Sequence, residues 1–326
     1  MYCEKALREY LTEEIFPQLS PPPYGKIKMM PLASEKPVFL FIEMEKHLSV
    51  VGKSFKYGSI PLDDAWLSAN KEYTNLKFVR DKVGMKNDSF EIISPLGEKK
   101  EFSALLVTRK ASGYLLDHYI NRAIYEQRGQ KLFQKLGYLA KFFARLHGNS
   151  RTETMISAEL PQWYLNKILK SLRCELLDTN EVKAIEDRAS RWWNRKNAFG
   201  QDVQVIVHGD ATPTNFFFYR QNVTGIDLER MMYADRCWDL GFVAAELKHH
   251  FLWRTGDKWS AEPFIGHFLW EYALNTGDTG LFYTITSKLP LYIALGLMRM
   301  TRNAWLGEDY RKILVEEARL CLEYEQ

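Results

Sequence analysis

The period of the apolar positions changes about a third of the way along the chain, which separates a strand-rich part from a helix-rich part. Residues 3–16 predict a short helix, stopped by Ser20-Pro21-Pro22-Pro23, because prolines cannot continue it. Strand patterns follow at Lys26–Met30, Val38–Ile42 and Leu48–Phe55. Asp63 to Val83 then reads as a helix, with Asp63 or Asp64 as N-cap and Gly84 just past its end. Its buried stripe is Ala65, Ala69, Leu76, Val79 and Val83, and Glu72 falls on the same stripe. Phe90–Ser94 and Phe102–Val107 complete an expected five-stranded antiparallel sheet. Beyond it, Leu132, Leu136, Leu139, Phe143 and Leu146 mark a helix from Lys131 to His147. Residues 161–196 predict two more helices, with Trp192-Trp193 as packing residues, and residues 240–325 are helical. The pattern predicts an α+β protein: a β-rich part over residues 1–110 and a mostly helical part over 111–326.

One β stretch interrupts the helical part. Val203–Val207 is β-branched and apolar, as a buried strand requires, and Phe216–Tyr219 is a second short strand. Arg220-Gln221-Asn222 turns the chain into a third, Val223–Ile226, which ends at Asp227-Leu228-Glu229. Between the first two strands lies the polar loop His208-Gly209-Asp210-Ala211-Thr212-Pro213-Thr214-Asn215. As a hairpin this would bring Asp210, Asn215 and Asp227 to one edge. Two carboxylates and an amide oxygen are hard ligands, suited to Mg²⁺ carrying a nucleotide's phosphates.

Composition narrows the class. The chain has 326 residues, enough for one large or two modest domains, with 46% hydrophobic and 26% charged residues, as in ordinary globular enzymes. A net charge of +3 is too small for a dedicated nucleic-acid binder. Cys3, Cys174, Cys237 and Cys321 form no Cys-x-x-Cys pair, which argues against a zinc site or disulfide framework and fits a reducing, cytoplasmic location. The first residues lack an apolar signal core, and no apolar run reaches the eighteen or so residues of a membrane span. The oligomeric state is left open.

The spacing His-Gly-Asp, four residues, Asn, eleven residues, Asp resembles the aminoglycoside phosphotransferase and choline kinase family, small-molecule kinases with a bilobal, protein-kinase-like fold. The resemblance implies ATP and Mg²⁺ as cofactors. It makes Asp210 the catalytic base or hydroxyl-orienting residue, and Asn215 and Asp227 the metal ligands. Glu72 is a carboxylate on an apolar face, costly unless paired. The kinase arrangement supplies its partner: Lys53, in Val50-Val51-Gly52-Lys53, would aim its ammonium at the α- and β-phosphates, with Glu72 fixing it. Leu106 to Arg109, Val107 among them, would be the hinge whose backbone meets adenine. Ala111–His118 resembles the family's turn into the large lobe, and Phe143–His147 its helix before the catalytic loop. Asp239 would support that loop by hydrogen-bonding its backbone or His208, and His208 and His147 are read as structural. One segment departs from the pattern. Pro31–Lys36, where kinases cover the phosphates with a glycine-rich turn, contains no glycine.

The implied reaction moves the γ-phosphoryl group of ATP to a hydroxyl of a sugar, amino sugar or amino alcohol. Only eleven residues separate Asp227 from Asp239, too few for a protein kinase's peptide platform. A kinase of lipopolysaccharide core sugars, suggested by Ile226-Asp227-Leu228-Glu229-Arg230, and a nucleotide-binding pseudokinase are the alternatives. Glu229 reads equally as a support for metal or as a solvent-facing carboxylate. Arg299 and Arg302, three apart, read as a solvated face before an anion contact. Adjacent His249 and His250 point to different helix faces, so no histidine metal cluster is expected.

Overall fold

The computed structural model describes residues 4–34, 36–86, 89–173, 175–195 and 199–324. The chain divides into two compact units, Met1–Gly113 with Thr224–Glu229, and Tyr114–Val223 with Arg230–Gln326.

The first unit runs α1 (Glu4–Tyr10), β1 (Ile27–Leu32), β2 (Val38–Glu43), β3 (Leu48–Ser54), α2 (Leu62–Asp81), β4 (Phe90–Ile92), β5 (Pro95–Lys99) and β6 (Leu105–Arg109). Five strands form one antiparallel sheet in the order β1-β2-β3-β6-β5. The fifth strand is therefore Pro95–Lys99, and not Phe90–Ser94 as the apolar pattern predicts. Proline lacks a ladder donor and is tolerated at a sheet edge, where β5 lies, and the register shifts between Pro95 and Gly97. Pro95 and Gly97 thus hide a strand that Phe90–Ser94 advertises. Ile93 instead donates its N–H to the Gly225 carbonyl at 2.9 Å. β6 starts at Leu105 because Ser103 and Ala104 turn with φ of 60° and 53°.

Strand alternation gives the sheet two faces. Phe41, Val50, Leu105 and Val107 point to one, where Leu7, Tyr10, Leu11, Ile15 and Phe16 of the N-terminal segment cover them. Lys53 and Leu106, paired across β3 and β6, have the opposite parity and point to the other. Helix α2 packs against β5 and β6 and buries Ala65, Ala69, Glu72, Leu76 and Val79, the expected stripe with its carboxylate included. Its N-cap is Pro61 without a side-chain bond, and Asp63 and Asp64 lie inside the first turn, where negative charge favours the helix dipole.

The second unit runs β7 (Tyr114–Leu115), α3 (Leu116–Tyr125), α4 (Gly129–Asn149), α5 (Glu159–Leu172), α6 (Thr179–Trp193), β8 (Val205–Val207), β9 (Phe216–Tyr219), β10 (Asn222–Gly225), β11 (Met232–Ala234), α7 (Cys237–Thr255), α8 (Glu262–Thr276), α9 (Leu281–Met300) and α10 (Glu308–Glu323). Along β10 the chain leaves this unit and re-enters the first. The second half of the expected hairpin forms, since β10 lies beside β9, but the first half does not. β8 pairs with β11, Val207 opposite Met232, while β9 lies between β10 and β7, so the loop 208–215 links strands of two different sheets. The predicted stripe of α4 is fully buried, and α4 packs on α8, α7 on α9, and α9 on α10. Trp192 is buried and donates its Nε1–H to the Leu322 carbonyl at 2.9 Å, a packing role.

Helix α9 is long and apolar enough to cross a membrane by length and composition alone. More than half of its apolar window is buried inside the protein, and its Lys288 pairs with Asp235 at 2.7 Å. Among the described residues Cys237 and Cys321 are free thiols. Cys3, Cys174 and Glu35, the last within the Pro31–Lys36 segment, lie outside the described residues.

Candidate active site

The chemistry of the first unit gathers at Lys53. The alternation of β3 turns this lysine toward α2, and its Nζ lies 2.7 Å from Glu72 Oε2 and 3.0 Å from Asp227 Oδ1. Glu229 Oε2 is 3.6 Å away and also pairs with Lys36. Burial works against the Lys53 charge, but Glu72 and Asp227 outweigh it and hold the ammonium above the ordinary lysine range. Glu72 is pushed up to about 7, chiefly by burial, with Lys53 pulling the other way. Asp227 sits at a φ of 62°, in the left-handed region that an aspartate enters more readily than most residues. Carboxylate oxygens of Glu72, Asp227 and Glu229 lie within 4.8 Å of one another, the one group of His, Cys, Asp or Glu among the described residues able to hold a metal ion. Hard oxygen donors of this kind fit Mg²⁺ or Ca²⁺.

In the second unit the loop after β8 is held from below by Asp239, on the first turn of α7. Asp239 is wholly buried and accepts the His208 N–H at 2.7 Å and the Gly209 N–H at 3.0 Å. His147 Nε2 lies 3.2 Å from the same carboxylate. Burial holds this imidazole below its ordinary range, and its Nδ1 lies 3.0 Å from the Tyr272 hydroxyl. Tyr272 accepts in turn from Arg236, which pairs with Asp202 at 2.7 Å. The line from Asp202 to Asp239 thus fixes the loop backbone. Gly209 is obligatory: at a φ of 79°, a Cβ there would stand 2.1 Å from the Arg230 carbonyl oxygen. The Asp210 N–H donates to His208 Nδ1 at 3.3 Å, so His208 props the loop, as expected.

Asp210 and Asn215 are brought together, with Asn215 Nδ2 donating to the Asp210 carbonyl at 2.8 Å. That bond leaves Oδ1 as the oxygen of Asn215 not spent on the loop. The Asp210 carboxylate pairs with Arg299, and its Oδ2 lies 3.9 Å from Arg230 Nε. Arg299 is therefore no solvated residue, which corrects the sequence reading; Arg302 is exposed. The signal for Arg299 was present: it follows the buried Leu295 and Gly296 by one turn, a guanidinium on an apolar face like the carboxylate of Glu72. Buried Glu246, pushed up to about 7 mainly by desolvation, also acts on Arg299.

Val107, read as part of the hinge, lies in β6. It is fully buried at mid-strand, opposite Gly52 of β3 and Gly97 of β5, so strands flank it on both sides. Backbone outside the sheet begins at Lys110.

A model of the phosphotransferase enzyme family matches residues 104–271, more than half of the chain. The chain belongs to that family. No curated protein matches it. Among solved structures, a choline kinase from Cryptosporidium parvum Iowa II has a TM-score of 0.64 at 11% identity, covering 98% of this chain and 95% of that one. The ADP-bound aminoglycoside phosphotransferase APH(2'')-Ib has a TM-score of 0.56 at 16% identity, over 98% and 97% of the two chains. The amicoumacin kinase hAmiN in complex with AMP-PNP, Ca²⁺ and Ami has a TM-score of 0.59 at 14% identity, over 99% and 94%. At these identities the likeness is one of fold, an antiparallel sheet with a helical part. The protein is thus a phosphotransferase.

For this phosphotransferase Asp239 carries a stability prediction. Asp239→Ala strands two backbone donors and the His147 N–H in the interior. The expected cost is about 3 kcal/mol, since hydrogen bonds to a charged, buried acceptor are the expensive ones to leave unmade. Urea unfolding followed by tryptophan fluorescence checks it, and a loss below about 1 kcal/mol would exclude this anchoring role.

Proposed function

We propose that this protein transfers the γ-phosphoryl group of ATP to a hydroxyl of a small molecule, a sugar, amino sugar or amino alcohol. The first unit takes the nucleotide and the second the acceptor. The observation that carries the reading is the Lys53 ammonium held at 2.7 Å by Glu72 and at 3.0 Å by Asp227. A buried lysine so fixed is placed to bind phosphate oxygens, and nothing in its packing on Phe55 alone calls for three carboxylates around it. The nucleotide-bound and metal-bound states of solved structures of similar fold support ATP and a divalent cation as the ligands.

In this reading Lys53 binds the α- and β-phosphates and Glu72 fixes Lys53. Asp227, in the first unit, would hold Mg²⁺, which would supply charge neutralisation to the phosphates when bound; Asn215, in the second unit, keeps the metal-ligand role that the family resemblance implies. Asp210 accepts a hydrogen bond from the acceptor hydroxyl and takes its proton late, because the loose transition state needs positioning more than a strong base. Arg299 and Arg230 orient the Asp210 carboxylate. The adenine contact is assigned to the hinge backbone, Leu106 to Arg109 with Val107 among them, just before the chain leaves the sheet at Lys110.

ADP release from Mg-ATP, measured with and without pools of free sugars, amino sugars, amino alcohols and lipid-linked sugars, tests the reading. Acceptor-dependent ADP release with one small-molecule pool is the expected result. Release only with the lipid-linked pool would transfer the assignment to core-sugar phosphorylation, and no stimulation by any hydroxyl compound would overturn it.

A further inference from the structure

The segment between β1 and β2 contains no glycine, so a tight turn of backbone amides is not what this chain offers to phosphates. It offers Lys36. The Lys36 ammonium pairs with Glu229 Oε2, the oxygen that lies 3.6 Å from Lys53 Nζ. Both ammonium groups also sit on one aromatic ring, Lys36 at 5.1 Å and Lys53 at 4.8 Å from the centroid of Phe55. Their side chains are only 24% and 14% exposed.

Two like charges converging on one oxygen repel, and an ordinary surface ion pair, worth little, does not require the arrangement. The cluster as a whole sets two ammonium groups against three carboxylates, Glu72, Asp227 and Glu229. Without Lys36, an incoming polyphosphate would meet one cation and three anions. Lysine also suits a mobile contact: its ammonium is a compact point charge with three donors on a flexible stem, able to follow an oxygen that arrives.

We propose that Lys36 is a second phosphate-binding lysine, which holds the nucleotide's polyphosphate from the β1–β2 segment where a glycine-rich turn is missing. Glu229 keeps it near Lys53 until the nucleotide arrives. The inference rests on the ATP-dependent reading above and adds a residue to it.

Calorimetric titration of the full chain and of Lys36→Gln and Lys36→Arg with Mg-ATP, Mg-ADP and adenosine tests it. Lys36→Gln is expected to weaken Mg-ATP binding by about tenfold, the scale of one charge-assisted contact, and to leave adenosine unchanged. Lys36→Arg is expected to keep most of the affinity. Mg-ATP binding within about twofold of the native chain would overturn the role of Lys36, as would an equal weakening of ATP and adenosine. If the native chain binds adenosine but gains nothing from the phosphates, the ATP reading itself falls and this inference with it.

Discussion

Asp210→Ala is expected to lower kcat by about 10³-fold while leaving ATP affinity within about threefold, because a positioned base contributes on the order of 10²–10⁴ to proton transfer. The prediction follows from what surrounds the residue. Its backbone is locked by the Asp239 anchor, by the strain-demanding Gly209 and by Asn215, so the carboxylate is presented in a fixed position. Nucleotide binding is assigned to other residues, which is why affinity should survive. Asp210→Ala also takes from the buried Arg299 the carboxylate it pairs with, so Asp210→Asn is the companion variant that keeps the side chain's volume. A thermal melt of both variants separates lost chemistry from lost structure. Native-like turnover in either folded variant would remove Asp210 from the mechanism.

Lys53→Met should lower kcat/KM for ATP by about 10²-fold, and Glu72→Gln by a similar factor, with the double variant no worse than Lys53→Met alone. The two side chains act as one unit, and residues of that kind show strongly non-additive losses. The pair also fixes a pH dependence. Glu72, pushed up to about 7 by burial, becomes protonated as the pH falls through neutrality and lets go of Lys53. Affinity for ATP should therefore drop between pH 8 and 6 with an apparent pKa near 7, and Glu72→Gln should flatten that profile. The sign for stability is the reverse. A carboxyl raised from 4.5 to about 7 binds its proton more tightly when folded, so its contribution is full below 4.5 and is lost as pH rises through 7. A flat profile in the native chain, or an additive double variant, would separate Glu72 from Lys53.

Much of this was legible in the chain itself, for identifiable reasons. Glu72 was visible because α2 keeps a regular apolar stripe and a carboxylate interrupts it, so its partner had to be nearby. The second-unit loop was visible because His208, Gly209 and Asp210 each meet a distinct local demand: an imidazole prop, a left-handed backbone and a presented carboxylate. Other features were hidden by physics that local pattern does not carry. Edge strand β5 has the composition of a turn, since only the edge position tolerates Pro95 and Gly97. The pairing of β8 with β11 is a tertiary choice between two apolar partners of similar length. Arg299 was half-legible: it shares the apolar face of Leu295 and Gly296, but its pairing depends on where the Asp210 loop lies.

In the proposed reaction Asp227 is the residue through which metal and nucleotide are coupled. ATP affinity measured with and without Mg²⁺, in the native chain and in Asp227→Asn, tests it most directly. The native chain should bind ATP at least about tenfold more tightly with Mg²⁺, and Asp227→Asn should lose that gain while still binding adenosine. A gain from Mg²⁺ that survives in Asp227→Asn would contradict the account.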